Sequence, residues 1–176
     1  NGQTFSATTF SASNISDIEI NSSGQVMVSV SGQSAVYIST NNGVSWTAMS
    51  SGTYTGFPAI NINYTYKLAT DATGNLYVLT DLGPYRLAAG ATAWVNIKGT
   101  LTDSFFNGNI FASGSNVFLM NNSSSKIYTY NGTTWNTGVQ YPFAGLGITS
   151  FLPKSSTEFY LGITSLGIYK STNSGI

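Results

Sequence analysis

The chain has 176 residues, 41% hydrophobic and 14% aromatic, enough for a buried core, while only 7% are charged against roughly a quarter in an ordinary soluble domain. Six basic and six acidic residues, scattered singly and summing to zero, leave no electrostatic footprint for a phosphate backbone or an anionic membrane, so neither nucleic acid nor membrane insertion is expected. Cysteine and histidine are absent, which excludes disulfides, thiolate chemistry, the usual zinc sites and the commonest general base.

Period-two alternation and β-branched or aromatic runs, bounded by Gly, Asn and Ser, run from one end to the other, with no sustained helical spacing of apolar residues. Asp17 and Glu19 alternate on one face of a first strand. A strand is then predicted at 25–30 (QVMVSV), followed by a tyrosine-bearing partner at 35–40 (AVYIST). The same pair recurs at 75–80 (NLYVLT) and 84–88 (PYRLA), at 116–121 (NVFLMN) and 126–130 (KIYTY), and at 158–163 (EFYLGI) and 167–171 (GIYKS). Each first strand follows a turn dipeptide such as Ser23-Gly24 or Thr73-Gly74. The recurring unit is a hairpin.

After the first hairpin comes Ser39-Thr40-Asn41-Asn42-Gly43-Val44-Ser45-Trp46, which resembles the Asp-box, or BNR repeat, of β-propellers. The pattern of that family is Ser-x-Asp-x-Gly-x-Thr-Trp; here Asn41 stands at the Asp position and Ser45 at the Thr position. A box of this kind needs a glycine at positive φ, a short polar side chain that bonds the turn backbone, and an aromatic that packs on the sheet. Asn accepts the same backbone hydrogen bonds as Asp. Degenerate copies follow in Gly90-Ala91-Thr92-Ala93-Trp94, with one extra residue before its tryptophan, and in Gly132-Thr133-Thr134-Trp135. A last copy runs through Ser171, Asn173 and Gly175, with its tryptophan expected about two residues beyond the final position. Gly2-Gln3-Thr4-Phe5 aligns with Gly43-Val44-Ser45-Trp46, so the five box glycines are spaced by 41, 47, 42 and 43 residues, within the range of propeller blades.

The resemblance implies an all-β propeller domain over 1–176, built of four blade-like four-stranded antiparallel repeats at about 2–43, 43–90, 90–132 and 132–175. Two readings of the ends stay open. In one, residues 4–10 complete the fourth unit as its outermost strand and close a four-bladed ring. In the other, the chain is part of a larger seven- or eight-bladed ring, with further blades supplied by a longer chain or a second copy; the truncated last box favours this reading.

Sialidases, which share the Asp-box, clamp a carboxylate with three arginines; this chain has Arg86 alone, and no residue can be assigned to that machinery. A glycosidase pair would have to come from Asp17, Glu19, Asp71, Asp81, Asp103 and Glu158. These read as solvent-facing or turn-capping groups, with Asp81 capping the turn before Gly83. The acids are too dispersed for a metal centre. No catalytic residue, cofactor or metal is expected.

Aromatics are the remaining resource: eleven Tyr, ten Phe and three Trp. Trp46, Trp94 and Trp135 are expected between blades, and Tyr37, Tyr85, Tyr128 and Tyr169 half-buried on sheet faces. Tyr54, Tyr64, Tyr66 and Tyr141 are expected in exposed loops. The longest connection, 50–66, carries Tyr54, Phe57, Tyr64 and Tyr66 and is the predicted binding loop; 100–109, with Phe105 and Phe106, is the second choice. No run of about 18 apolar residues and no charged-then-apolar leader occurs. Six Asn-x-Ser/Thr matches are expected by chance in so polar a chain and say little about glycosylation. The neutral, Asn/Ser/Thr-rich composition leads to the expectation of a bacterial extracellular or cell-surface module, a non-catalytic scaffold or adhesion unit that binds protein or glycan at a propeller face. The alternative is a carbohydrate-binding portion of a sialidase-like or other glycoside hydrolase propeller.

Overall fold

The recurring hairpins all form. The computed structural model describes every residue except 1–3, 5, 32–34, 59–66, 106–107, 144–145, 147 and 176. The described residues contain fifteen strands and no helix, so none long and apolar enough to cross a membrane. Strands β1 (Ile15–Ile20), β2 (Val26–Val30), β3 (Ala35–Ser39) and β4 (Thr47–Ala48) make one antiparallel sheet in sequential order. A second holds β5 (Lys67–Thr70), β6 (Leu76–Thr80), β7 (Gly83–Leu87) and β8 (Trp94–Asn96); a third holds β9 (Gly108–Ser113), β10 (Asn116–Asn121), β11 (Lys126–Tyr130) and β12 (Val139–Gln140). The fourth has β13 (Ile148–Pro153), β14 (Phe159–Ile163) and β15 (Gly167–Ser171), three strands among the described residues where four were expected.

Alternation along the middle strands sends side chains to both faces, and both are buried because each inner sheet is covered on both sides. Three apolar layers result. Met27 and Val36 of the first sheet meet Leu68, Val78 and Tyr85 of the second. Tyr77 and Leu79 on the second sheet's other face meet Val117, Leu119 and Tyr128 of the third. Phe118 and Met120 then meet Phe151, Phe159 and Leu161 of the fourth. Each buried side chain of this size contributes about 1.5–3 kcal/mol. The connections between sheets join the layers: Met49, with Phe57 beside it, lies in the first, Ile97, Leu101 and Phe105 in the second, and Tyr141, with Phe143 beside it, in the third. The first strands lie side by side, β1 by β5, β5 by β9 and β9 by β13, which makes them the innermost strands of the array.

The opening segment corrects one expectation. Among the described residues of 4–10 there is no strand, and the segment does not pair with β15. Thr9 donates its amide and hydroxyl to the Gly43 carbonyl at 3.4 and 3.1 Å, and Phe10 packs edge-on against Tyr37 with centroids 5.2 Å apart. It thus covers the first sheet on the face away from the second sheet, because the apolar Phe10 finds Trp46 there, 4.8 Å from its ring centre.

Candidate functional site

Short polar side chains build the turns at Ser39, Gly132 and Ser171. Asn42 and Gly43 both have positive φ, 56° and 83°, which a glycine takes without a Cβ penalty and an asparagine tolerates. Ser39, fully buried, accepts the Gly43 amide at 2.8 Å and donates to Asn41 Oδ1 at 3.0 Å; Asn41 Oδ1 also accepts the Ser45 amide at 2.9 Å, while its Nδ2 donates to Ser45 Oγ at 2.8 Å. The turn at Ser171, Asn173 and Gly175 repeats this: Ser171 Oγ donates to Asn173 Oδ1 at 3.1 Å and accepts the Gly175 amide at 2.7 Å. At Gly132, φ 95°, the work passes to Asn131, whose Oδ1 accepts the Thr134 amide at 2.8 Å. These residues hold turns.

The tryptophans reach further. Trp94 Nε1 donates to the Met49 carbonyl at 2.7 Å, and Trp135 Nε1 to the Ile97 carbonyl at 2.6 Å. Each therefore ties its sheet to the residue just past the outer strand of the preceding sheet. Trp46 differs: half-buried, it donates to its own Gly43 at 3.2 Å and packs on Phe10.

The predicted binding loop is built into the core at its described end. Phe57 stands edge-on to Trp94 at 5.3 Å, Tyr54 packs against the same apolar layer, and Thr55 pairs with Ala93 along the second sheet's edge. Tyr64, Tyr66 and Phe106 lie outside the described residues. Tyr141, expected in an exposed loop, is only 3% exposed, because the connection it sits on fills the third apolar layer. Tyr85 and Tyr128 are buried rather than half-buried, and Tyr169 is exposed.

Three of the acids are engaged in separate places. Asp71 is buried and takes five hydrogen bonds, from the Thr73 and Asn75 amides, Thr73 Oγ1, Asn75 Nδ2 and the Tyr77 hydroxyl, at 2.7–3.0 Å. Burial raises its pKa, but the hydrogen bonds outweigh burial and hold the carboxyl below its ordinary range. Asp103 lies beside the Ser124 hydroxyl, accepts the Tyr128 hydroxyl and faces Lys126 at 3.6 Å; these keep its carboxyl low as well. Glu158 bridges Lys170 and Lys154 at 2.9 and 3.1 Å. Asp81 does not cap its turn as expected: Thr80 does, accepting the Leu82 amide and donating to the Gly83 carbonyl, while Asp81 Oδ1 is buried without a hydrogen-bond partner.

Asp17 and Glu19 are not simply solvent-facing. Both are half-buried in a groove of about 360 Å³ that crosses all four innermost strands, where they meet Lys67 of β5, Asn109 and Phe111 of β9 and Phe151 of β13. Asp17 Oδ2 accepts the Leu68 amide at 2.9 Å, and Lys67 Nζ reaches the Ser16 carbonyl at 3.4 Å, so the groove's walls are bonded together. Burial pushes the Glu19 carboxyl above its ordinary range; the Ile20 amide opposes this and the Asp17 charge adds to it. The sequence reading missed Lys67 and Asn109. Their signal is positional: Glu19, Lys67, Asn109 and Leu152 precede their box glycines by 24, 23, 23 and 23 residues. Among the described residues no cluster of acids could hold a metal ion.

No family model matches the sequence, and no curated protein does. Solved structures do. A structure of YCF48 bound to a D1 peptide superposes with TM-score 0.67 at 15% identity, over 99% of this chain and 56% of that one. A GH74 xyloglucanase from Xanthomonas campestris gives 0.60 at 16% identity, over 89% of this chain and 24% of that one. An auxiliary nutrient binding protein from Bacteroides ovatus gives 0.67 at 13%, over 96% and 47%. The chain thus spans between about a quarter and three-fifths of the length of these proteins. Identities this low carry the fold and not the activity, and the fold is that of a β-propeller, here as four blade-like sheets.

Proposed function

We propose that this chain is a non-catalytic, extracellular part of an Asp-box-type propeller, and that it binds a segment of a partner protein in the groove across its four innermost strands. The observation that carries the reading is the make-up of that groove: the carboxylates of β1 and the lysine of β5 lie on one side and Asn109, Phe111 and Phe151 of β9 and β13 on the other, giving both hydrogen-bonding and apolar contact along one open trough. The commitment of the acids supports a non-catalytic role. Asp71, Asp103 and Glu158 are engaged by hydroxyls, amides or lysines in separate places, and Asp17 and Glu19, which share the groove, stand two residues apart on the single strand β1 with Asp17 bonded to the Leu68 amide, whereas glycoside hydrolysis needs two carboxyls on opposite sides of one sugar. The Ser39–Asn41–Gly43 bonding, repeated at Ser171–Asn173–Gly175, supports kinship with the Asp-box, and the sparse charge supports an extracellular setting.

A glycan in the same groove is the second reading, favoured by Asn109 beside Phe111, an amide next to a ring on which a sugar can stack. In this reading the chain is the carbohydrate-binding portion of a glycoside hydrolase propeller.

A phage-displayed random peptide library and a glycan array, both probed with the 176-residue chain, test the proposal. Peptides that lose binding to Lys67→Glu and keep it with Tyr54→Ala support the protein partner. Glycan binding with the same dependence replaces it with the second reading. Binding indifferent to Lys67, or release of reducing sugar from xyloglucan, overturns the proposal.

A further inference from the structure

The second strands of the first three sheets repeat one residue position, and its first instance borders a crevice. Met27, Tyr77 and Phe118 stand two residues past Gln25, Asn75 and Asn116 in β2, β6 and β10, and each points into the apolar layer shared with the following sheet. Tyr77 fills its layer with a phenol ring, and its hydroxyl donates to Asp71 Oδ2 at 2.9 Å. Phe118 fills the next layer with a fully buried phenyl ring. Met27 has no ring. Its cross-strand partner is also shorter, Ile38 where Tyr77 has Arg86.

The turns beside Met27 and Tyr77 match as well. Asn21 and Asp71 each accept two amides of their own turn through Oδ1, from Ser23 and Gln25 at 3.1 and 3.0 Å and from Thr73 and Asn75 at 2.9 and 3.0 Å. The turn of the second sheet is closed against the third by the Ala72 amide, which donates to the Gly114 carbonyl at 2.8 Å. Between the first and second sheets, a crevice of about 290 Å³ lies at the corresponding place. Its floor is Met27, Leu76 and Leu87, all buried, and Gln25, Thr40 and Thr92 stand on its rim. None of the residues around it is charged. Both sheets that wall it have four strands, so the crevice belongs to an interface present within this chain.

We propose that this crevice binds a small uncharged phenol. The ring lies beside Met27, in the place that the Tyr77 ring takes one sheet later, and the hydroxyl meets the side-chain amides of Asn21 and Gln25, which are bonded to each other at 2.7 Å. An amide pair offers both donor and acceptor to a neutral hydroxyl, whereas a carboxylate would be desolvated there with no cation to receive it. The edge of the second sheet beside the crevice is already paired: the Thr55 amide donates to the Thr92 carbonyl and the Trp94 amide to the Thr55 carbonyl, both at 2.9 Å. The occupant is therefore a free molecule rather than an added strand. This site is separate from the axial groove and does not rest on the function proposed for it.

The probe is p-cresol, the tyrosine side chain as a free molecule, titrated into the ¹⁵N-labelled 176-residue chain. Saturable amide shifts are expected at Gln25, Met27, Leu87 and Ala91, with a dissociation constant on the order of 1 mM, as suits so small a ligand. Toluene, which lacks the hydroxyl, should bind about fivefold or more weakly. Met27→Tyr places a ring in the crevice from within and should abolish binding; Thr92→Trp, at an exposed rim position, provides the same test should the first variant fold poorly. The absence of saturable shifts, shifts centred on Thr9 and Trp46, equal affinity for toluene, or unchanged binding in either variant that folds would overturn the inference. So would N-acetyltyrosinamide binding more than about tenfold tighter than p-cresol, which would make the occupant a tyrosine of a polypeptide.

Discussion

The indole N–H of Trp135 meets the carbonyl of Ile97 at 2.6 Å, across 38 residues of sequence and from one sheet to the next. Ile97 is the first residue past β8, so this bond fixes the outer edge of the second sheet to the face of the third. Trp94 makes the same bond to Met49 one sheet earlier, at 2.7 Å. A backbone carbonyl at the end of a two- or three-residue strand would otherwise be left without a partner beneath an aromatic ring.

Trp94→Phe and Trp135→Phe should therefore each cost about 1–3 kcal/mol, since each strands a buried acceptor as well as removing ring area. Trp46→Phe should cost less, under about 1 kcal/mol, because the Gly43 carbonyl keeps Thr9 as a donor when the indole is lost. Urea denaturation of the three variants checks the ranking.

Gly138 has φ 78°, and a Cβ there would lie 2.4 Å from the Tyr128 ring. Gly138→Ala should destabilise by about 2–4 kcal/mol, combining a left-handed backbone with an overpacked ring. Gly24, with φ 76° and no neighbour within 4 Å, is the control, and Gly24→Ala should cost only about 1 kcal/mol. Equal losses in thermal melts would mean that crowding at Tyr128 is not felt.

Asp71 should make the fold acid-sensitive. Its carboxyl is held below the ordinary value of 3.8, so its contribution is fully present above that pH and is lost as pH falls through the lowered folded value. Asp71→Asn keeps one acceptor but loses the charge, and should destabilise by about 1–3 kcal/mol at pH 7. The gap to the native chain should narrow below about pH 4, as chemical denaturation across pH 2–7 would show.

Glu19 has the opposite sign. Its folded pKa lies above the ordinary 4.5, so the charged form is penalised at neutral pH, the penalty falls as pH drops through the raised value, and it is gone below 4.5. Glu19→Gln should raise the melting temperature at pH 7 and leave it unchanged at pH 4. A gain that persists at pH 4 would assign the effect to packing rather than charge.

Asn41 accepts through its one amide oxygen from the Ser39 hydroxyl and from the Ser45 amide. Asn41→Asp should stay within about 0.5 kcal/mol, whereas Asn41→Leu, which removes the oxygen that accepts both bonds and the donor to Ser45, should lose about 1–2 kcal/mol. Thermal melts of the two variants decide whether the turn needs only a short oxygen-bearing side chain.

The hairpins were legible because strand alternation and turn chemistry are local. The runs read at 116–121, 126–130 and 167–171 coincide with β10, β11 and β15, and the others agree within about a residue. The box turn at Ser39 was legible for the same reason: its bonds close within four residues. Tyr141 was misread because a polar ring in a Pro-containing connection looks exposed until the neighbouring sheet is in place. The axial groove was invisible for a similar reason, since Glu19, Lys67, Asn109 and Phe151 are separated by more than 40 residues each and meet only when four first strands line up. By itself the sequence determined the strands and the turns, set by backbone preference and side-chain alternation over a few residues. The tertiary structure alone decided which faces are covered, which carboxylates are engaged and where apolar pockets open, because burial and hydrogen-bond partners come from sheets that the local chain does not contain.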